Sequence, residues 1–325
     1  MELWDVYDKY RHKTGRVHQR GIPMDEGDYH LVIHVWIVNS KGEFLIQRRQ
    51  PWKKGWGGMW DCATAGSAIK SDSSIDAVIR ESKEEIGVDI DGENLERLFT
   101  VDFKRGFDDI WIVKQDIDIK DLILQQEEVA DARWATLDEI KEMIKNGEFI
   151  AYSYIDRLYN MVESKISIKK ATNEESVELL ALQRKVFMPL YEKYRDHDTS
   201  PATESMERFL RRFDLGDYYK ILFEDEVVGS VFVYEISPGL MKLSTINILE
   251  EYQGKGISQE VIIRLEGMYP QAYRWELETI LTEPKNCYLY EKVGYKQFGE
   301  KKIINDRLTL VKYFKEDNLN KIDSI

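Results

Sequence analysis

Glu81, Glu84 and Glu85 stand three and four residues apart in "GSAIKSDSSIDAVIRESKEEIGVDI", residues 66–90. On a helix that spacing brings all three carboxylates onto one face. Like charges so placed cost an isolated helix roughly 0.2–0.5 kcal/mol per pair. The cluster is either a solvated acidic face or a working one. The work such hard oxygen donors suit is holding Mg²⁺ or Mn²⁺, which bridges them to a diphosphate, offsets its charge and lowers the pKa of an attacking water. A second stretch, Gln253-Gly254-Lys255-Gly256-Ile257-Ser258, lies between the strand-like "INIL" and the helical pattern "QEVIIRLEGMY". Glycines there let backbone N–H groups approach a phosphate at a helix N-terminus, where the dipole also favours an anion.

The elements that must position these residues are legible at low resolution. "HLVIHVWIVNSKGEFLIQRR" reads as two strands around "NSKGE", a turn in which Asn39 and Gly42 tolerate positive φ. Strand-like "LERLFTVDF" and "DIWIVKQDI" follow the glutamate segment. A helix begins in "TLDEIKEMIKNGE", where Thr136 stands three residues before Glu139 in a capping-box spacing and Gly147 ends the run. Another helical pattern, "AYSYIDRLYNMVESK", leads to a boundary near Lys165. Beyond it come a strand, a helix start at Thr172 or Asn173, a helix in "ESMERFLRRF", and then alternating strands and helices to "RLTLVKYF". The expected fold class is α/β (α+β) in two domains, residues 1–164 and 165–325.

The 325 residues carry 46 basic and 59 acidic side chains, a net charge of −13. That balance excludes a general electrostatic grip on nucleic acid or anionic membrane, so an anionic substrate needs locally placed cations. Cys62 and Cys287 are far apart in sequence, and the longest apolar stretch, near "LVIHVWIV", falls well short of the roughly 20 residues a membrane span requires. The expectation is a cytoplasmic protein without disulfides or a transmembrane segment.

The frame of Gly66, Asp72, Arg80-Glu81, Glu84-Glu85 and Gly87-Val88 resembles the Nudix box, over a domain of about residues 1–164. Asp72 stands where that family usually has Glu, and Ser82 where it has an aliphatic residue. The resemblance implies an α/β/α sandwich with a mixed sheet, metal ligation by Glu81, Glu84 and Glu85, and catalytic roles for Glu81 and Glu85. Arg80 would orient the glutamates, and Glu127 or Glu128, of which Glu128 is preferred, would supply a base or a further ligand. "YHLVIHVWIVNSKGEFLIQRR" and "GGMWDCATAGS" are similar to isopentenyl-diphosphate isomerases and related hydrolases. Ala65 and Ser67 replace the isomerase's catalytic Cys and metal-binding His, which argues for diphosphate hydrolysis over isomerisation. Cys62 is read as a small buried thiol. His30 and His34 share a strand face, and His30 matches an isomerase ligand position. "PWKKGWGGMW" is expected to pack beside the sheet, the alternative being a base stacked on Trp52 or Trp56.

The second stretch is similar to the (Arg/Gln)-x-x-G-x-(G/A) loop of GNAT N-acetyltransferases, in a mixed α/β fold over about residues 166–314. The resemblance implies that Gln253, Gly254, Lys255, Gly256, Ile257 and Ser258 hold the pyrophosphate of acetyl-coenzyme A. In "EPKNCYLYEKVGY", Tyr290 matches the tyrosine that protonates the departing thiolate. Glu283 occupies a position often held by Asn, with Asn286 nearby as a cofactor contact. Glu250, Asn247, Glu276 and Glu278 lie where a general base could sit, and spacing does not choose among them. The reading is a bifunctional fusion of a metal-dependent diphosphate hydrolase and an acetyl-coenzyme A-dependent N-acetyltransferase. Its partners are a small-molecule diphosphate, acetyl-coenzyme A, an amine acceptor not named by the sequence and, left open, a second copy in a homodimer. The competing class is a nucleotide or acyl-coenzyme A sensor in which one half has lost catalysis.

Overall fold

The computed structural model describes residues 2–90, 92 and 95–316, and the chain divides into two compact units, Met1–Glu163 and Ser164–Ile325. In the first, the central strand β3 (His30–Val38) sends Leu31, Ile33, Val35 and Ile37 into one core and Trp36 and Val38 into another. A strand buried on both faces explains the nearly unbroken apolar run. β3 pairs in parallel with β8 (Gly106–Lys114), which carries β7 (Leu95–Phe103) on its far side. On its other side lie β4 (Phe44–Arg49) and then β5 (Trp60–Asp61), with β6 (Thr64–Ser67) also paired to β3 and β9 (Val129–Ala135) to β4.

Helix α1 (Ser74–Ile86) covers one face of this sheet through Ala77, Val78 and Ile86. Helices α2 (Leu137–Lys145) and α3 (Ile155–Val162) cover the other through Ile140, Met143, Leu158 and Tyr159. The result is the expected α/β/α sandwich. Its local punctuation follows the chain. Ser73 and Asp76 form a reciprocal capping box at the start of α1, and Gly87 ends it at φ 74°. Thr136 and Glu139 do the same for α2. In the β3–β4 turn Gly42 takes φ 77°, whereas Asn39 does not adopt positive φ. Asn39 instead shapes the turn with its side chain, whose Oδ1 accepts the N–H groups of Lys41 and Glu43.

A two-stranded sheet of β1 (Leu3–Tyr7) and β2 (Lys13–Gln19) precedes the sandwich. The sequence reading placed no element there, because β2 is polar along most of its length and carries no alternation. Long-range bonds hold it: Arg11, at φ 62° in the turn, reaches the buried Asp109, which also accepts from Ser74 and Thr100.

The second unit is a seven-stranded sheet. Its order is β10 (Ile166–Lys170), β11 (Asp217–Phe223), β12 (Glu226–Ser237), β13 (Leu240–Ile248), β14 (Arg274–Ile280), β16 (Thr309–Glu316) and β15 (Lys296–Ile303). Its neighbours are antiparallel except β13 and β14. Helices α4 (Ser176–Tyr194) and α5 (Met206–Leu215) place Leu179, Leu180 and Phe209 against Tyr218 and Phe232 on one face. Helices α6 (Ile257–Met268) and α7 (Pro284–Lys292) place Val261, Ile262, Leu265 and Tyr290 on the other. Thr172 and Glu175 form the capping box, but the first turn is a 3₁₀ segment, Asn173–Glu175, that continues into α4. β15 also escaped the sequence reading: it is an exposed, lysine-bearing edge strand, the composition that protects an edge from further pairing. Among the described residues no helix is long and apolar enough to cross a membrane.

Candidate active sites

The glutamates of α1 meet the sheet at β6. Cross-strand partners share a face, so Ala65 and Ser67 lie with their partners His34 and Val32, while Thr64 and Gly66 lie on the α1 side. Gly66 makes room for Glu81: a Cβ built on it would come 2.1 Å from the Glu81 carboxyl carbon. Glu85 turns inward, 7% exposed, and its Oε2 accepts from Thr64 Oγ1 at 2.6 Å and Gln47 Nε2 at 2.9 Å. Burial pushes the Glu85 carboxyl up to about 7, and the charge of Glu81 adds to the shift, against the downward pull of those two donors. Burial also raises Glu81, against the pull of Arg80.

Arg80 organises the rim. It donates to Glu81 Oε1 at 2.9 Å, Glu84 Oε2 at 3.2 Å, Asp72 Oδ2 at 3.1 Å and the Ser67 carbonyl at 2.9 Å. The shorter Asp72 thus reaches the arginine from a position where Glu is usual. Among the described residues no three acidic, His or Cys side chains converge on one point as a closed metal cage. The donor set nevertheless fits a hard divalent cation. It is all oxygen, and Gln47 Oε1 is buried without a partner beside the buried Glu85 carboxylate. The other departure, Ser82, is fully buried on α1 with its hydroxyl unpartnered.

Glu128 follows a segment that the backbone ties to the end of α1. The N–H groups of Gln125 and Ile123 bond the carbonyls of Glu85 and Ile86 at the end of α1, and Glu128 pairs with Lys53. Glu127 is exposed. His30 stacks on Trp4 with ring centroids 4.2 Å apart and planes 7° apart, and burial, aided by the charges of His18 and Arg20, lowers it to about 4. His34 Nδ1 meets the Tyr154 hydroxyl at 2.7 Å. Cys62 is a free, buried thiol that burial pushes well above its usual range, which makes it inert as a nucleophile.

In the second unit, β13 and β14 pair only from Leu240–Leu243 to Arg274–Leu277, and the strands run on past that point without pairing to each other. The opening faces the end of β13, after which Gly254 and Gly256 take φ 77° and 80° and Gly256 caps α6. No side chain caps that helix, and a Cβ on either glycine would meet open space. Its first-turn N–H groups, from Ile257 and Ser258 onward, have no carbonyl of the helix to bond, an arrangement suited to an anion. Gln253 Nε2 bonds the Ile248 carbonyl at 2.9 Å, and Lys255 Nζ lies 4.7 Å over the Tyr252 ring.

Tyr290, on α7, is buried against Tyr295 and Tyr313, and burial raises its hydroxyl, so it carries its proton at neutral pH. Glu283 pairs with Lys193 and accepts from Tyr194, while Asn286 is half-buried one turn into α7. Of the residues offered as a base, Glu276 bonds Arg274 and Glu278 bonds Lys242, and Glu250 opens a 3₁₀ turn. Asn247 is buried, donating to Ser230 with its Oδ1 unpartnered.

Residues 28–158 match the family model of the NUDIX domain. An uncharacterized Nudix hydrolase of Listeria monocytogenes is 45% identical over 161 residues, which span 50% of this chain and 95% of that protein. The chain belongs to the Nudix hydrolases. An isopentenyl-diphosphate Delta-isomerase of Shigella flexneri is 33% identical over 119 residues, 34% of this chain and 64% of the isomerase. Residues 180–295 match the family model of the Acetyltransferase (GNAT) family. An acetyltransferase structure from Thermus thermophilus aligns with 46% of this chain and 96% of its own at 16% identity and a TM-score of 0.37. A Nudix hydrolase domain is therefore fused to a GNAT acetyltransferase domain, each from a family of enzymes.

The Nudix loop 51–58 overturns one expectation. Trp52 and Trp56 are 67% and 61% exposed and do not pack beside the sheet. The loop closes on itself, because Gly57 approaches Pro51 so nearly that a Cβ there would lie 2.5 Å from its carbonyl oxygen. The sequence reading also passed over Thr64 and Gln47, the partners of Glu85. Neither carries a local signal, since both reach Glu85 through strand pairing.

Proposed function

We propose that the Nudix half hydrolyses a diphosphate linkage of a small molecule, with a divalent cation held by Glu81, Glu84 and Glu85. The observation that carries this reading is the pairing of a buried Glu85 with Glu81 in a slot that only glycine at position 66 leaves open. Mg²⁺ or Mn²⁺ at these oxygens would offset the diphosphate charge and acidify the attacking water. Arg80 fixes Glu81 through Oε1, and Glu81 Oε2 receives the proton of the attacking water. Glu128, delivered by the loop bonded to the end of α1, is the second acceptor. Ala65 and Ser67 offer no acid for isomerisation.

The test is release of phosphate or nucleoside monophosphate from a panel of diphosphate compounds with Mg²⁺ or Mn²⁺, including isopentenyl diphosphate. Outer partners of a metal site cost up to about 100-fold when lost, so Glu85→Gln should lose at least that much. Hydrolysis undiminished in Glu85→Gln would overturn the assignment.

The GNAT half supports its own reading through the parted strands β13 and β14 beside the backbone cradle of α6. The cradle of Gln253 to Ser258 receives the pyrophosphate of acetyl-coenzyme A, with Asn286 of α7 as the further cofactor contact of this reading. The acceptor amine forms its N–C bond at the thioester carbonyl as the C–S bond breaks. Tyr290 gives its hydroxyl proton to the leaving thiolate, and the amine's surplus proton passes to water.

A further inference from the structure

We propose that loop 51–58 of the Nudix half stacks the nucleobase of a nucleoside diphosphate compound against Trp52 and Trp56, which makes these residues the specificity determinants of that site. This rests on the diphosphate reading above and names its substrate class. Two tryptophans within five residues, both more than half exposed, leave a large apolar surface in water. The loop that carries them is built, not loose. Lys53 N–H bonds the Gln50 carbonyl, Gly58 N–H that of Arg49, and Met59 N–H that of Trp56. Arg49 Nε and Arg48 Nε brace the carbonyls of Gly55 and Gly58 at 3.1 and 2.9 Å. Trp56 is held at φ 50°, a left-handed conformation that a bulky side chain rarely takes and that the closed loop imposes.

The loop is tied to the carboxylates. Lys53 pairs with Glu128, and Gln50 Nε2 bonds the carbonyls of Gln126 and Val129, on the segment whose Gln125 N–H holds the Glu85 carbonyl. Lys53 and the exposed Lys54 sit between the two rings in sequence. Aromatic faces interleaved with cations suit a flat base joined to an anionic chain. They suit an isoprenoid poorly, because an alkyl chain needs apolar walls on several sides, whereas a base stacks productively on one exposed face.

The experiment is calorimetric titration of the full chain, with Mg²⁺, by α,β-methylene-ADP and by methylenediphosphonate, which lacks the base. The wild type should bind the nucleotide about tenfold tighter, the order of one base–aromatic stack. Trp52→Ala and Trp56→Ala should each shrink that ratio and leave methylenediphosphonate binding in place. Trp52→Phe should restore part of it, which also shows that the alanine variants fail by losing a ring and not by unfolding. Equal binding of the two probes by the wild type, or an unchanged ratio in both alanine variants, overturns the stacking and leaves the diphosphate reading standing. Absence of Mg²⁺-dependent binding of either probe overturns both.

Discussion

The two domains are each proposed to grip a diphosphate, and they do it with opposite materials. The Nudix site is made of side chains: Glu81, Glu84 and Glu85 on one helix, ordered by Arg80, Thr64 and Gln47. The GNAT site is made of backbone, with two positive-φ glycines and the uncapped start of α6. Side-chain carboxylates need a cation to meet an anionic ligand, whereas N–H dipoles meet it directly. The first arrangement therefore depends on buried charge and close packing, and the second on chain conformation in open space.

The contrast is broken or sharpened most strongly by adding a methyl group to each site. Gly66→Ala puts a Cβ where the Glu81 carboxylate lies, and a displacement of about 1 Å in a catalytic group can cost about 100-fold in rate. Diphosphate hydrolysis should fall by that order while acetyl transfer by the same chain holds. A variant that hydrolyses normally would show that Glu81 is not confined by Gly66.

Buried titratable groups make the stability of the Nudix half depend on pH, and the contribution that weakens in acid is that of His30. His30 is near 4 in the folded state against an ordinary 6.5, so between those values the unfolded chain binds more protons. The His30 contribution to stability must then rise with pH across that window and fall as pH drops from 6.5 toward 4, against the opposite contribution of the raised Glu85 carboxyl. The full shift corresponds to roughly 3 kcal/mol, lost on acidification. Urea titrations of the wild type and His30→Phe at pH 7 and 4.5 should show the wild type gaining more stability with rising pH than the variant does. Equal slopes would remove His30 from the account.

The smallest effect belongs to the backbone site. Gly254→Ala meets no neighbour but must hold φ 77°, at a cost of roughly 1–2 kcal/mol for a residue with a Cβ. Acetyl-coenzyme A binding, read by calorimetry, should weaken about tenfold with hydrolysis untouched. A loss as large as that of Gly66→Ala would mean that the cradle is as tightly packed as the carboxylate slot.

Much of the fold was legible because its signals are local. The capping box at Thr136 and the apolar run of β3 each depend on residues within a few positions of one another. β2 and β15 were not legible, since polar strands take their shape from partners, and the β1–β2 hairpin also depends on Arg11 reaching Asp109 across 98 positions. Trp52 and Trp56 misled because aromatic composition points to packing, while both rings stand exposed on a loop that closes on itself.

The sequence by itself determined the two motifs and the chemistry they suggest, because helical spacing and glycine conformation act within one segment. Tertiary structure alone decided that Glu85 turns inward to Thr64 and Gln47, that Gly66 lies under Glu81, and that β13 and β14 part beside the glycine loop. Those facts depend on which strand lies next to which, and strand pairing across tens of residues leaves no periodicity in the chain from which it could be read.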